Sequence, residues 1–397
     1  MSDNQVIPLP EPGSLRSGAS PYWRGVPGVV PIAATFLLAA SIVIISGLIL
    51  FGWNTLRVLA ISVAVALLVE STFSLLTRRT RSWSEAYALL VGVLFACTLP
   101  PTVNWHVPVV GAAFAIMLGQ VLPGGVGNYI WHPVVLGRIA VQILFHDQVT
   151  PKWSSVLAPG HLLWGNLDGG QELSTLGSWG SYPVSQDVQT LLSVPPAEHL
   201  RLPIITESGV SNGEMIAGLV RDILPPWPDT LFGVVGGGIG EACVIAVIVA
   251  GLLLLWRGFL RWPMVVAAIV SAVVLTAMLP VRILLADGTM ATRWFPGLAG
   301  WEGLPVGLVY VCYHLTAGEF LLVLLLLAPD PSSSPLTSRG HAWFGFIIGV
   351  VTIMLRVLMG MPASGYWALI IANTMVGVIN RTTKRRIFGT WRVKPVY

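Results

Sequence analysis

The amino-acid sequence predicts an all-α polytopic membrane protein, with about ten transmembrane helices arranged as two inverted five-helix repeats. Three observations support this prediction: the composition, the apolar segments and an internal repeat. Hydrophobic residues make up 54% of the 397 residues and charged residues 10%, and the mean hydropathy is +0.77. A water-soluble domain carries about a quarter charged residues, so this chain lacks the charge to cover a water-facing surface.

Ten apolar segments approach the length that crosses a bilayer, which is about 20 residues and less where a helix is broken. They lie at roughly 31–53, 56–77, 86–100, 107–122, 128–146, 231–256, 263–285, 304–328, 342–359 and 366–380. The third, fourth and fifth segments are short and are interrupted by prolines and glycines. We therefore expect broken helices in the middle of the first half.

The distribution of charge predicts the orientation of these segments, because Lys and Arg collect in cytoplasmic loops. The C-terminal tail is basic, and ten spans place both termini in the cytoplasm, with the protein in the cell's inner membrane. The long segment between spans five and six has nine acidic and three basic residues and is predicted to lie outside. The predicted units are the polar tail 1–30, the first repeat 31–146, the extracytoplasmic loop 147–230, the second repeat 231–380 and the basic tail 381–397.

The internal repeat consists of features that occur in the same order in the two halves. An apolar run ends at LPPT in the first half and at APDP in the second, and one span and a Gly/Pro break follow each. Because each half has an odd number of spans, the halves are inverted relative to each other. Such repeats build a binding site near the middle of the bilayer. The alternative to a true repeat is that the two halves look alike only because both consist of apolar segments.

Ionisable residues within apolar segments are costly and are candidates for function. Glu70, Glu241 and Glu319 are candidates for an ion path, because a buried acid is either protonated or paired with a cation or a bound ion. The alternative for each is a structural contact between helices. Candidates for a cavity or a quinone pocket are Gly124, Gly125, His132, Arg138, Gly237 and Gly238.

Several other kinds of site are not expected. The glycine clusters do not follow a strand of a βαβ unit, so they do not indicate a nucleotide site. The three cysteines lie far apart in apolar runs without a CxxC motif. We therefore predict no metal site. The net charge of +4 is too small to indicate nucleic acid.

Four motifs, in this order along the chain, resemble those of a known family. They are LPPT at 99–102, GGVGN with HPVVLGR at 124–138, GGGIGE at 236–241 and APDPSSSPLTSRG at 328–340. With them the chain resembles the D subunit of the Rnf electron-transport complex and the B subunit of the sodium-pumping NADH:quinone oxidoreductase. The resemblance runs from about residue 85 to 390. It implies a component of a redox complex that couples electron transfer to movement of Na⁺ or H⁺.

The resemblance also implies a flavin mononucleotide joined by a phosphoester to a Thr of an SGAT motif before span six. Here the matching stretch reads GVSNGEMIA at 209–217, which puts Glu214 at the position of that Thr. Because a glutamate has no hydroxyl, we predict that the covalent flavin is absent. Thr190 is a second candidate for attachment, with poorer spacing. Noncovalent binding of a flavin or a quinone is an alternative that the sequence leaves open.

Two further departures from the family pattern indicate a divergent branch: His132 replaces the usual Asn and Glu319 replaces a Gly. The first hypothesis is an ion-translocating or non-catalytic membrane subunit of an oxidoreductase complex. Its partners are other membrane subunits and a periplasmic electron carrier, a cytochrome or flavoprotein, at the loop 147–230. The second is a channel or transporter like the urea and ammonium channels. The third is a structural membrane anchor of a redox complex.

The absence of covalent flavin can be measured directly. We expect the intact mass of the purified chain to equal that of the polypeptide alone, because the carboxylate of Glu214 cannot form the family's phosphoester. Mass spectrometry of the denatured chain checks this. An added mass of flavin mononucleotide, mapped to any peptide of this chain, contradicts it.

Overall fold

The structure is a computed structural model that describes residues 29–77, 81–149, 196–201, 203–206, 209–224, 227–233, 237–285, 289–300, 302–303 and 305–384. Most of the predicted tails and of the predicted outer loop lie outside these residues, and so does Thr190. The described residues are mainly helical.

An apolar helix lies at each of the first five predicted spans. These helices are α1 (Val29–Phe51), α2 (Trp53–Thr77), α3 (Arg81–Cys97), α4 (His106–Ile116, continued by a π-helical turn, Met117–Val121) and α5 (Pro133–Leu144). The chain turns after α4 at Gly124 and Gly125, whose φ angles are +112° and +108°. Glycine adopts this left-handed region without a steric penalty, which explains why the break predicted from the Gly/Pro cluster falls here.

Short elements follow α5 in the predicted outer segment. They are α6 (His146–Val149), α7 (Pro196–His199), β1 (Ile204–Thr206), α8 (Asn212–Gly218, continued by a π-helical turn, Leu219–Ile223) and α9 (Trp227–Phe232). A small apolar core forms beside them, in which Ile204, Met215 and Ile216 pack with Tyr310 and Tyr313.

The second half contains apolar helices at its five predicted positions. They are α10 (Val244–Trp256), α11 (Trp262–Met278), α12 (Val306–Thr316), α13 (Phe320–Leu322, continued by a π-helical turn, Val323–Leu327), α14 (Ser338–Val357) and α15 (Ser364–Thr382). The eighth predicted span, 304–328, is divided between α12 and α13. Gly318, with a φ of +79°, lies at the division.

Among the described residues, helix length and apolar composition identify three candidate membrane spans, or four if a bent pair of helices counts as one. Val30–Phe51 of α1, the whole of α2 and the whole of α14 are long and apolar enough to cross a membrane. The pair α12 and α13 makes a fourth if it counts as one span bent by 55°. The helices α3, α4, α5, α10 and α11 are apolar but shorter.

The prediction of an all-α fold is incomplete, because three short strands form a sheet. Strand β2 (Val281–Leu285) pairs in parallel with β1 and antiparallel with β3 (Met290–Arg293). The sequence predicted span seven to continue to residue 285, but α11 ends at Met278. Pro280 explains the difference, because it cannot continue a helix and favours extended backbone in the residue before it.

Helices α11 and α14 pack closely through glycines on α14. A Cβ atom added at Gly345 would collide with the carbonyl oxygen of Met264, and one at Gly349 with Ser271 Oγ and the carbonyl oxygen of Ala268. Small residues permit this close approach in membranes, where dispersion contacts and hydrogen bonds hold helices together.

We expect Gly349→Ala to lower the free energy of unfolding by about 1–3 kcal/mol, because the methyl group forces α11 and α14 apart. The matched control is Gly377→Ala on α15, where an added Cβ meets nothing within 4 Å. That change should be neutral or stabilise by up to about 1 kcal/mol through helix propensity. Thermal unfolding in detergent, followed by tryptophan fluorescence, checks both. Equal effects of the two substitutions would contradict the close packing.

Candidate functional site

A small cavity with a volume of about 60 Å³ lies where residues of the two halves meet. This is space for a few water molecules. The first half contributes residues of α5 and of the LPPT turn, and the second half contributes the GGGIGE loop, the α12–α13 break and the start of α15. Its polar and ionisable lining residues are Thr98, Arg138, Gln142, Arg201, Thr230, Glu241, Thr316, Glu319, Arg356, Ser364 and Tyr366.

Glu319 lies at the break between α12 and α13 and is paired. Its Oε1 accepts hydrogen bonds from Arg356 Nη2 at 3.1 Å, Ser364 Oγ at 2.8 Å and the backbone N–H of Gly365 at 2.9 Å. Glu319 is 6% exposed and Arg356 2%, so this is a buried ion pair. The N-terminus of α15 adds its positive dipole end to the guanidinium, so the carboxylate is stabilised in its charged form.

Arg356 also contacts the end of α12. Its Nη1 donates to the carbonyl oxygen of His314 at 2.7 Å. The last carbonyl groups of a helix have no partner within the helix, and a buried guanidinium supplies one here. Arg356 therefore joins α14, α12 and the α12–α13 break.

Glu241 ends the GGGIGE loop, and its Oε1 accepts a hydrogen bond from the Tyr366 hydroxyl at 2.6 Å. Backbone hydrogen bonds hold the loop against the first half: Ile239 N donates to Leu99 O at 2.9 Å, and Gly240 N to Cys97 O at 2.8 Å. A Cβ at Gly240 would lie 2.8 Å from that of Cys97. The motif thus needs a glycine at residue 240 for close backbone approach.

Arg138 of α5 faces the same tyrosine from the first half. Its Nε donates to Thr98 O at 3.0 Å, and its Nη1 donates to Gln142 Oε1 at 2.7 Å. The guanidinium carbon lies 5.3 Å from the centroid of the Tyr366 ring, within the range of a cation–π interaction. Tyr366 therefore connects Arg138 of one half with Glu241 of the other.

The cavity brings together five of the predicted site residues, and the others lie elsewhere. Those in its lining are Glu241, Glu319, Arg138, Gly237 and Gly238. Glu70 is buried on α2 outside this lining, Gly124 and Gly125 form the turn after α4, and His132 is buried immediately before α5. Their predicted roles in an ion path or a quinone pocket remain predictions.

A second buried cluster was not predicted from the sequence. Asp330 Oδ2 accepts hydrogen bonds from the Tyr129 hydroxyl at 2.9 Å and from Ser333 Oγ at 3.1 Å. Its Oδ1 accepts one from the Tyr87 hydroxyl at 3.0 Å, and the two tyrosine hydroxyls also contact each other. The signal that could have indicated this cluster was the single acid within the apolar APDP motif.

Glu214, which the motif resemblance predicts to stand in place of a flavin-bearing Thr, is exposed in the first turn of α8. Its carboxylate accepts hydrogen bonds from the backbone N–H and the hydroxyl of Ser211, at 3.0 and 2.9 Å. These two hydrogen bonds, the backbone one first, hold the pKa of Glu214 below its ordinary value. The arrangement is a capping box. A flavin phosphoester does not fit it, since no hydroxyl is present at residue 214 and the carboxylate is negative.

Comparison with known proteins identifies the family. A family model described as "NQR2, RnfD, RnfE family" matches residues 17–389. The chain belongs to this family. The match confirms the resemblance recognised from the four motifs.

Three relatives are each named as the D subunit of an ion-translocating oxidoreductase complex. The relative from Klebsiella pneumoniae (strain 342) is 26% identical over 379 residues, 94% of this chain and 99% of the relative. That from Stutzerimonas stutzeri is 29% identical over 350 residues, 86% and 87% of the two chains. That from Escherichia coli (strain SE11) is 26% identical over 378 residues, 94% and 98%.

We expect Arg356→Met to cost about 3–5 kcal/mol of folding free energy, because it leaves the buried Glu319 carboxylate without its cation. Combining it with Glu319→Gln should cost less than the sum of the two single substitutions, since the double variant has neither buried charge. Thermal unfolding of the four proteins measures this cycle, with the exposed-site change Asp147→Asn as a control. Strict additivity would show that the two side chains do not interact.

Proposed function

We propose that this chain is the ten-span membrane subunit of a redox complex that couples electron transfer to ion translocation. Membership of the family and the names of the relatives support the redox complex. The positions of the apolar helices support ten spans, because a helix lies at each predicted span. At α3, α4, α5 and the pair α12 and α13, a short or broken helix takes the place of one long helix across the bilayer. The charge pattern of the loops supports cytoplasmic termini in the inner membrane.

The inverted five-helix repeat is part of this proposal. In the first half α3 is followed by the LPPT turn, α4, a glycine turn and α5. In the second half α13 is followed by the APDP turn, α14, the turn at Gly360 and α15. This matching order supports two inverted repeats of one unit, and the cavity lies between them, where inverted repeats hold their substrate or ion.

The cavity is the observation that carries the ion-translocation proposal. It combines two acids from the second half with an arginine from the first. The two acids have different partners: Glu319 is bound to the Arg356 guanidinium, whereas Glu241 accepts a hydrogen bond from the neutral Tyr366 hydroxyl. Glu241 is therefore the group that exchanges the ion, and Glu319 is the internal counter-ion of Arg356. The latter agrees with a structural role for that acid.

The proposed subunit works without a covalent flavin of its own. The capping box at Glu214 supports this, because Glu214 caps the N-terminus of α8 and has no hydroxyl that could form the phosphoester. Electrons would then come from partners: other membrane subunits and a periplasmic cytochrome or flavoprotein that docks on the outer segment. The acidic composition of residues 147–230 supports docking by a basic carrier surface, through electrostatic complementarity.

Replacing Glu241 tests the proposal. In the complete complex, reconstituted in liposomes and supplied with electron donor and acceptor, Glu241→Gln should lower the membrane potential generated per electron by about tenfold or more, as for loss of a proton-exchanging group. A voltage-sensitive dye measures this whichever ion moves. The control is Glu302→Gln, an exposed carboxylate in the loop before α12, which should keep the wild-type potential. An unchanged potential in Glu241→Gln would contradict the role of the cavity.

A further inference from the structure

Several oxygen atoms around the cavity accept hydrogen bonds from protein donors. Thr98 O and Gln142 Oε1 both accept from Arg138, and Glu319 Oε1 accepts from three donors. From this arrangement we infer that the cavity exchanges protons and excludes Na⁺. The inference rests on the proposed function, because it names the ion that the same site carries.

A bound Na⁺ would compete with the protein's own guanidiniums for the carboxylates of the described lining. A hard cation takes about six oxygen ligands and prefers carboxylates among them. Of the two carboxylates, that of Glu319 already binds Arg356 at 3.1 Å, whereas that of Glu241 accepts a hydrogen bond from the Tyr366 hydroxyl. The described lining therefore offers one carboxylate outside a salt bridge. The hydroxyls of Thr230 and Thr316, which donate to helix carbonyls at 2.6 and 2.9 Å, are neutral.

The helix ends at the cavity also disfavour a metal cation. Sodium sites in transporters use unwound carbonyls and the C-terminal ends of helices. Here α12 ends at the cavity, but Arg356 already donates to its His314 carbonyl. Helix α15 begins at the cavity, so its positive dipole end faces inward. The cation-attracting position is thus held by a guanidinium of the protein itself.

The charges of the lining also favour a proton over Na⁺. Three guanidiniums, of Arg138, Arg201 and Arg356, face two carboxylates, and arginine stays protonated in proteins. This positive lining repels any further cation. A proton offsets the repulsion because it forms a covalent O–H bond with a carboxylate and needs no set of oxygen ligands. Hydronium gives its proton to the Glu241 carboxylate, which becomes a carboxylic acid and leaves water. The reverse step releases the proton on the other side.

The experiment uses the complete complex in vesicles of phosphatidylethanolamine and phosphatidylglycerol. Electron transfer is started in sodium-free choline buffer, with a pH-sensitive dye trapped inside, and in parallel with ²²Na⁺ outside. We expect the internal pH to change at the same initial rate with and without Na⁺, and no donor-dependent uptake of ²²Na⁺. In Glu241→Gln the pH change should fall by about tenfold or more, whereas Glu302→Gln, at an exposed carboxylate before α12, keeps it.

The wild-type comparison requires no substitution, so it is valid even if Glu241→Gln fails to fold. Donor-dependent uptake of ²²Na⁺, with no pH change in sodium-free buffer, overturns the inference and leaves the proposed function standing. A membrane potential that forms through neither ion, or no potential at all, overturns the proposed function and the inference together.

Discussion

Buried arginines that donate to carbonyl oxygens at helix ends are the interaction on which the broken helices of each half depend. In a bilayer, a backbone group without a partner costs several kcal/mol, so a broken helix is tolerated only where something else satisfies it. In the first half Arg138 donates to Thr98 O at 3.0 Å, directly after α3, and in the second half Arg356 donates to His314 O at 2.7 Å, in the last turn of α12. Each arginine therefore satisfies a backbone carbonyl where a helix ends.

The positions of the helices could be predicted because their signals are local: apolar runs, and glycines or prolines at the breaks. The contacts of the site could not, because they join residues far apart in sequence. Nothing near Tyr366 indicates that its hydroxyl meets Glu241, and the partner of Glu319 lies on α14. The sheet was missed for the same reason, since β1 and β2 pair although helices α8 to α11 lie between them in the sequence.

The glycine motifs show how one pattern supports two interpretations. The cluster before Glu241 resembles a phosphate loop in composition. In the structure, Gly240 lets the loop backbone approach Cys97 and pack against the LPPT turn. That contact sets the position of the Glu241 carboxylate beside Tyr366. The glycines therefore position Glu241 through backbone packing, and in the sequence the missing strand was the feature that argued against a nucleotide site.

Glu319 has a consequence for the chemistry of Glu241. In a cavity of this size, three guanidiniums with a single carboxylate would hold that carboxylate firmly in its charged form, since opposite charges nearby favour ionisation. The carboxylate of Glu319 binds Arg356 at 3.1 Å and neutralises one of the three. Glu241 then faces a weaker positive field. If Glu241 exchanges the ion, as we propose, the acid at residue 319 tunes the site without exchanging the ion itself.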